Sequence, residues 1–295
     1  MENISVVIVT WNNERIIMDC LNSIIKYTDV VDIVVVDSCS TDKTVEVIKE
    51  SNIKKVKVIK LEQNVGFAKG NNIGVIEAKC ENVLLLNPDT IFIEKGLDKL
   101  VKSLNSDVGI VGCKLLNTDK SLQPSTYNFD TPVNIILEQF MLGKLLPNFL
   151  RYSCAPYLSK HDKIFYPDWV IGAFMMIKKE LFLRVDGFSE DYFLYSEDMD
   201  ICKKVSNLGF RIEYNPTFAI IHLGGESEKN DISSSKQEKL LDSKIIYSRK
   251  YSRKNFKYLL YCYKIKYFLC SLFCGSKDNK YFFPKNYLVK KRKEL

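Results

Sequence analysis

Within its first ninety residues the chain alternates four times between short apolar runs and segments whose apolar positions repeat at helical spacing. Ile4–Thr10 (ISVVIVT) has the continuous apolar character of a strand buried on both faces, Val83–Leu86 suits a buried strand, and Val31–Val36 and Val56–Leu61 read as the second and third strands. Between them, Glu14–Tyr27 gathers Ile16, Ile17, Cys20, Leu21, Ile24 and Ile25 on one helical stripe, Lys43–Ser51 follows the capping candidates Ser40 and Thr41, and Phe67–Ala78 follows an Asn64-Val65-Gly66 turn. Such alternation predicts an α/β domain with a Rossmann-like, mainly parallel sheet flanked by helices and joined by right-handed crossovers. At 295 residues the chain has room for one large domain of this kind with an appendage.

Several function classes lose their support at once. No G-x-G-x-x-G follows the first strand and no Walker A sequence is present, which argues against dinucleotide oxidoreductases and P-loop ATPases. The nine cysteines include no C-x-x-C pair, and Cys80, Cys113, Cys202 and Cys262 sit in apolar segments, as reduced, buried thiols do. With residues 1–10 entering a strand directly, without a basic leader, a cytoplasmic location is expected. Charge is unevenly divided: residues 249–295 hold 14 Lys or Arg against Asp278 and Glu294, so with +7 for the whole chain the remainder is acidic overall. That division argues against a nucleic-acid-binding body and for a basic appendage facing an anionic surface.

Further along, Gly96–Ser103 reads as a helix, Val108–Leu116 as a fifth strand and Val133–Leu145 as a helix. Trp169–Ile177 reads as a strand interrupted at Gly172, Lys178–Val185 as a short helix, and Ser196 as the cap of a helix ending at Asn207. Phe210–Tyr214 and Thr217–His222 form two strands around Asn215-Pro216, and Asp231–Arg253 a helix. From Lys254, apolar positions at Phe256, Leu259, Leu260, Tyr263, Tyr267 and Cys270 repeat helically, while Lys257, Lys264 and Lys266 break any membrane span. An amphipathic helix follows, lying on a membrane surface or packed on the body, and Lys290-Lys291-Arg292-Lys293 favours the membrane.

Chemistry gathers at strand ends and helix starts. Asn87-Pro88-Asp89 lies just past the fourth strand, on the edge where open α/β sheets bind ligands, although these are also ordinary turn residues. Thr10-Trp11-Asn12 and Asp37–Asp42 follow the first two strands, and His222, one of two histidines, ends a later one. Glu197, Asp198 and Asp200 open a helix; its dipole favours acidic residues there, yet three carboxylates in four residues repel one another beyond what capping requires.

Taken in order, VVIVTWNNERIIMDCLNSI, VVVDSCSTDKT (34–44), NVGFAKGNNIG (64–74), LLLNPDT (84–90), the segment 169–205 and IIHLGGES (220–227) resemble glycosyltransferase family 2. These are inverting nucleotide-sugar transferases of GT-A fold, and the likeness is closest to the rhamnosyltransferase-like branch. It covers residues 1–230, implying a transferase domain with a nucleotide-sugar-binding half at 1–116 and an acceptor half at 117–230, followed by a basic helical extension at 231–295. The reaction implied is transfer of rhamnose from dTDP-rhamnose, or of another hexose from a UDP-sugar, to a glycan or lipid-linked glycan in surface polysaccharide biosynthesis.

Carried over by position, the resemblance places Thr10, Trp11, Asn12, Asp37, Gly66, Asn71 and Asn87 around the donor, with Asp37 on its base or ribose. It makes Asp89 and His222 ligands of Mn²⁺ or Mg²⁺, Asp198 the base, Glu197 a neighbour that positions the acceptor or tunes that carboxylate, and Trp169, Gly172 and Ala173 the acceptor side. Asp200 is structural. Four positions depart from the family pattern: Asn87 for the first Asp of D-x-D, Ser38 for Asn, Lys43 for Gly and Lys204 for Arg. Asn87 removes one metal charge, which leaves the ion more dependent on the donor's diphosphate. A nucleotidyltransferase would carry a Gly-rich basic loop after the first strand, which Trp11-Asn12-Asn13-Glu14 is not. A noncatalytic glycan-binding or scaffold protein would have no use for Asp89, Glu197, Asp198 and His222 together.

Overall fold

β1 (Ile4–Thr10), α1 (Ile17–Tyr27), β2 (Asp32–Asp37), α2 (Thr44–Glu50), β3 (Val56–Lys60), α3 (Gly66–Glu77) and β4 (Asn82–Leu86) follow one another as the apolar runs predict. The structure, a computed structural model, describes residues 3–104, 107–224, 233–252, 257, 258, 260–262, 264 and 265. β3-β2-β1-β4 are parallel neighbours in that order, the arrangement that successive βαβ crossovers produce. β2 is buried along its whole length and β1 along almost all of it, as strands covered on both faces must be. α1 buries Ile17, Cys20, Leu21 and Ile24, one stripe at i, i+3, i+4 and i+7. α2 starts without a side-chain cap from Ser40 or Thr41; the Thr44 N–H donates to Asp42 Oδ1 at 3.0 Å instead.

α3 lies against the sheet through glycines. A Cβ at Gly70 would sit 2.7 Å from Val9 Cγ1, and one at Gly74 would press on Val7 Cγ1 and Val36 Cγ2. Overpacking of this kind costs about 1–3 kcal/mol. It outweighs the helix-propensity gain of about 1 kcal/mol for Gly→Ala, because Val7 and Val36 are fully buried on central strands and have nowhere to go. Gly74→Ala is therefore expected to lower the urea midpoint with an unchanged m-value; an unchanged midpoint would mean that the contact relaxes freely.

After β4 come β5 (Thr90–Phe92), α4 (Leu97–Val101), β6 (Val108–Leu116), β7 (Leu122–Gln123), β8 (Thr126–Tyr127), β9 (Trp169–Val170), β10 (Phe174–Lys178) and β11 (Arg211–His222). They extend the sheet to β3-β2-β1-β4-β10-β6-β11-β5, with β7 paired to β6, and β8-β9 make a separate ribbon. β6 and β11 are parallel; β10, β5 and β7 join antiparallel. The result is the expected mainly parallel, helix-flanked sheet, a GT-A fold.

Three expectations about the later strands and the acidic helix need correction. Trp169–Ile177 is two strands in two sheets, and Gly172 is where the chain passes from one to the other. Arg211–His222 is one strand, because a register shift against β6 between Asn215 and Ala219 absorbs Pro216 as a bulge. The helix Glu197–Asn207 follows a Ser196 with φ 65°, outside the extended region that an N-cap residue adopts. Cys20, Cys80, Cys113, Cys202 and Cys262 are free and buried, and burial pushes the Cys20 thiol up to about 12.

The described residues form two compact units, Met1–Tyr127 with Lys160–Phe193 and Glu197–Lys229, and Asn128–Ser159 with Leu194–Ser196 and Asn230–Leu295. The first holds the whole sheet. In the second, Thr131 caps the helix Pro132–Gln139 by accepting the Asn134 N–H at 3.2 Å, with Pro132 in the first turn. That helix stops short of the expected Leu145: Met141 takes φ 55° and a 3₁₀ turn, Leu142–Leu145, follows, then the helix Asn148–Cys154. The helix Ser233–Tyr251 brings Lys244 Nζ to 3.6 Å from Asp130 Oδ1 and 3.5 Å from Glu138 Oε1. Burial still holds the Asp130 carboxyl above its usual range. Most of the repeat expected from Lys254, the Lys290-Lys291-Arg292-Lys293 run, Gly225 and Ser227 lie outside the described residues. Among the described residues no helix is long and apolar enough to cross a membrane.

Candidate active site

Strand register alone brings the first clusters to one edge of the sheet. Thr10 pairs with Asp37 at the carboxyl ends of β1 and β2, and Ile8 pairs with Leu86, so Asn87 follows on the same edge. The two loops are laced together: Asn12 N–H donates to Ser40 Oγ at 2.9 Å and Thr41 N–H to Asn12 Oδ1 at 2.8 Å, with Asn12 at φ 54°. Thr10 Oγ1 donates to Asn13 Oδ1 at 2.9 Å. Asp37 is fully buried and accepts from both the N–H and the hydroxyl of Ser40, while Trp11 is 43% exposed. Ser38, one of the departures, accepts the Val65 N–H at 3.2 Å and so ties this edge to the start of α3.

Gly66 opens α3 at φ 77°, and a Cβ there would lie 2.6 Å from the Phe193 carbonyl oxygen, so the position admits only glycine. One turn on, Asn71 donates to the Phe67 carbonyl at 3.0 Å, whereas its own Oδ1 is buried without a hydrogen-bond partner. An orphan acceptor of this kind costs about 1–3 kcal/mol until a ligand donor reaches it.

The antiparallel pairing of β5 with β11 sets His222 opposite Thr90 and next to Asp89. Asp89 Oδ1 lies 3.3 Å and Asn87 Nδ2 3.4 Å from His222 Nε2. Gln123, on β7, completes the arrangement. Its amide nitrogen donates to Asn117 Oδ1 (3.0 Å) and to the His222 carbonyl (3.2 Å), which leaves Oε1 to accept from His222 Nδ1 at 2.7 Å. A proton is thereby assigned to Nδ1, and Nε2 is the ring nitrogen turned to Asp89 and Asn87. A carboxylate and a neutral imidazole fit Mn²⁺ or Mg²⁺, with Mn²⁺ favoured by the nitrogen. Among the described residues no group of three His, Cys, Asp or Glu could hold a metal, so Asp89 and His222 stand as a pair and not as a full ligand set.

Asp198 and Glu197 sit at the start of the helix Glu197–Asn207. Asp198 accepts from the Gly172 N–H at 3.1 Å and the Met199 N–H at 2.8 Å. Although partly exposed, it is desolvated by the surrounding protein, which raises its pKa to about 6 against the lowering effect of those bonds. Glu197 is buried, its Oε2 has no partner, and burial followed by the Asp198 charge pushes its carboxyl well above the usual range. The pair thus favours holding one proton. Asp200 accepts from Ser189 Oγ (2.6 Å) and Tyr192 Oη (3.3 Å), with Lys204 at 3.8 Å. These contacts explain its burial, and Lys204 also donates to the Gly187 carbonyl at 2.9 Å.

Two adjacent residues connect the halves. Gly172 gives its N–H to Asp198, and the Ala173 carbonyl accepts the Asn87 N–H at 3.1 Å. A Cβ at Gly172 would also touch the Phe67 ring at 3.2 Å. Trp169, on the ribbon before them, stacks on Tyr127 with ring centroids 4.7 Å apart.

A family model described as glycosyl transferase family 2 matches residues 5–183, more than half of the chain. The chain belongs to glycosyl transferase family 2. A second model, described as the N-terminal domain of galactosyltransferase, matches residues 158–223, the span that carries the carboxyl pair and His222. Within this family-2 chain, 180 residues are 30% identical to rhamnosyltransferase WbbL of Escherichia coli K12, over 57% of the chain and 64% of WbbL, less than two thirds of that relative. dTDP-rhamnosyl transferase RfbF of Shigella flexneri is 26% identical over 228 residues, 76% of the chain and 70% of RfbF. Among solved structures, mannosyltransferase PcManGT of Pyrobaculum calidifontis in complex with GDP-Man and Mn²⁺ superposes with a TM-score of 0.59 at 17% identity, over 99% of this chain and 75% of that one. At that identity the likeness concerns the fold.

The sequence reading missed Gln123. A signal existed: the polar turn Asn117–Lys120 after β6 is a hairpin signal, and the returning strand puts Gln123 opposite Leu115, near the end of β6.

Proposed function

We propose that this family-2 chain transfers a hexose with inversion from a nucleotide diphospho-sugar to a glycan or lipid-linked glycan hydroxyl in surface polysaccharide biosynthesis, and that the donor is dTDP-rhamnose. The observation that carries the proposal is the Gly172-Ala173 link between the base candidate Asp198 and the Asn87-Pro88-Asp89 turn, which carries one of the two metal-ligand candidates. The donor preference rests on the rhamnosyltransferase relatives.

In the proposed step the acceptor oxygen attacks the anomeric carbon, the bond from that carbon to the diphosphate breaks, and the hydroxyl proton passes to Asp198. With a pKa of about 6, Asp198 is mostly ionised at neutral pH yet a stronger base than an ordinary carboxylate. Glu197, buried beside it and held neutral, helps position the acceptor or tunes the Asp198 carboxylate. Thr10, Trp11, Asn12, Asp37, Gly66, Asn71 and Asn87 surround the donor, with Asp37 acting chiefly by shaping its loop. Trp169, Gly172 and Ala173 line the acceptor side. A divalent cation held by Asp89 and His222 would neutralise charge developing on the leaving diphosphate. Residues 1–116 serve as the donor half and 117–230 as the acceptor half, and the basic residues of 231–295 hold the enzyme at the cytoplasmic face of the membrane.

The test is release of nucleoside diphosphate by the purified chain from dTDP-rhamnose, UDP-glucose and GDP-mannose, each with and without Mn²⁺ and a lipid-linked acceptor. Acceptor- and metal-dependent release from dTDP-rhamnose is expected. Release from none of the three would refute the transferase reading, and release from UDP-glucose alone would refute the donor.

Gln123 should tune the metal through His222. Gln123→Leu removes the acceptor for Nδ1–H and is expected to weaken Mn²⁺ binding by about 10- to 100-fold, whereas Gln123→Glu keeps an acceptor and should retain it. Mn²⁺ titration in the presence of dTDP, followed by electron paramagnetic resonance, distinguishes the two; equal affinities would remove Gln123 from the site.

A further inference from the structure

Between Met141 and Arg151 the second unit turns its apolar side chains outward. Leu145 is 82% exposed, Phe149 73% and Met141 55%, with Leu142 and Leu150 also exposed. This is a built surface. Gly143 is buried, and a Cβ there would lie 2.8 Å from Ala155 Cβ. Arg151 folds back to donate to the Leu146 carbonyl through Nε and to the Lys144 carbonyl through Nη2, both at 2.9 Å. Leu142 and Leu145 are three apart in the 3₁₀ turn and so share a face, and Phe149 and Leu150 follow in the first turn of the next helix.

Along its own stretch of chain this face carries charge of one sign. No Asp or Glu occurs from Gln139 to His161, whereas Lys144 is exposed at its centre and Arg151 borders it. A rigid apolar face studded with cations suits the boundary between acyl chains and anionic headgroups. The alternatives meet like charge: a second copy would oppose Lys144 and Arg151 with its own, and residues 249–295 of this chain are themselves basic.

We propose that residues 141–151 seat the protein on a bilayer containing anionic lipid, with Leu145 and Phe149 in the acyl boundary and Lys144 and Arg151 at headgroup level. The inference is independent of the transfer reaction and is read without it. Full-length protein is sedimented with vesicles of phosphatidylethanolamine and phosphatidylglycerol, and with phosphatidylcholine vesicles as the uncharged control. Binding to the anionic vesicles is expected, reduced about tenfold to hundredfold in the Leu145→Asn/Phe149→Asn variant, whose thermal midpoint stays near the parent's because both side chains are exposed. Phe149→Trp should show a blue-shifted emission with vesicles that brominated lipid quenches. Absence of binding by the parent, undiminished binding by the double variant, or concentration-dependent self-association that the double variant abolishes without any vesicle binding would each overturn the proposal.

Discussion

Asp198→Asn is expected to lower kcat by about 10² to 10⁴-fold while leaving donor affinity at the parent value. The amide is nearly isosteric, but its single oxygen keeps only one of the two N–H bonds, because Gly172 donates to Oδ2 and Met199 to Oδ1 of the carboxylate. What it lacks is a site for the acceptor proton. Stability supplies the control. Because burial raises the Asp198 pKa to about 6 from 3.8, folding disfavours the ionised form, and the penalty is full above pH 6 and relieved as pH falls toward 3.8. Removing the buried charge should offset the one hydrogen bond lost, so the thermal midpoint at pH 7 is expected to stay near the parent's. In the parent, kcat/KM should fall about tenfold per pH unit below pH 6 as the base takes up its proton, and the variant should lose that limb. Residual activity near the parent's at pH 7 would place the base elsewhere.

Asp89→Ala should be the second large effect, on the order of 10² to 10³ in kcat, with weakened Mn²⁺ binding. Its backbone is not at issue, since the carbonyl of residue 89 that accepts the Leu223 N–H at 2.9 Å is retained by alanine. His222 also keeps its Gln123 contact. The loss would then report the missing anionic ligand. Asn87 cannot replace it as it stands, because its Nδ2 faces His222 Nε2 and its neutral side chain brings no negative charge. Metal titration and steady-state kinetics of the same sample read both quantities; unchanged metal-dependent turnover would return Asn87-Pro88-Asp89 to the status of a turn.

The parallel half of the sheet was legible because each of its strands is a short apolar run closed by Asn, Ser, Gly or Pro, and those closing residues are also the ones that reach the ligand edge. β5 was not, being three residues after a turn, and its place beside β11 depends on a partner some 130 residues away. Gly172 was noticed, but periodicity within 169–177 could not show that the two sides of that glycine pair with different strands. Pro216 was taken to break a strand that a bulge in fact carries through. Carboxylates, histidine and glycine announced themselves by type; Gln123, whose role is to hold another residue's proton, had nothing in its own chemistry to mark it. The helix expected over Val133–Leu145 gave no sign that Met141, Leu145 and Phe149 face outward, which only the fold reveals.

One consequence of the Gly172-Ala173 bond pair concerns modular exchange. Since consecutive residues give a donor to Asp198 and an acceptor to Asn87, neither half of the site is a self-contained cassette. A chimera that takes residues 1–116 from a relative to change the nucleotide sugar inherits a new partner for the Ala173 carbonyl while keeping the old one for the Gly172 N–H. Donor swapping in this scaffold should therefore succeed only when the graft and the 172–173 segment are matched.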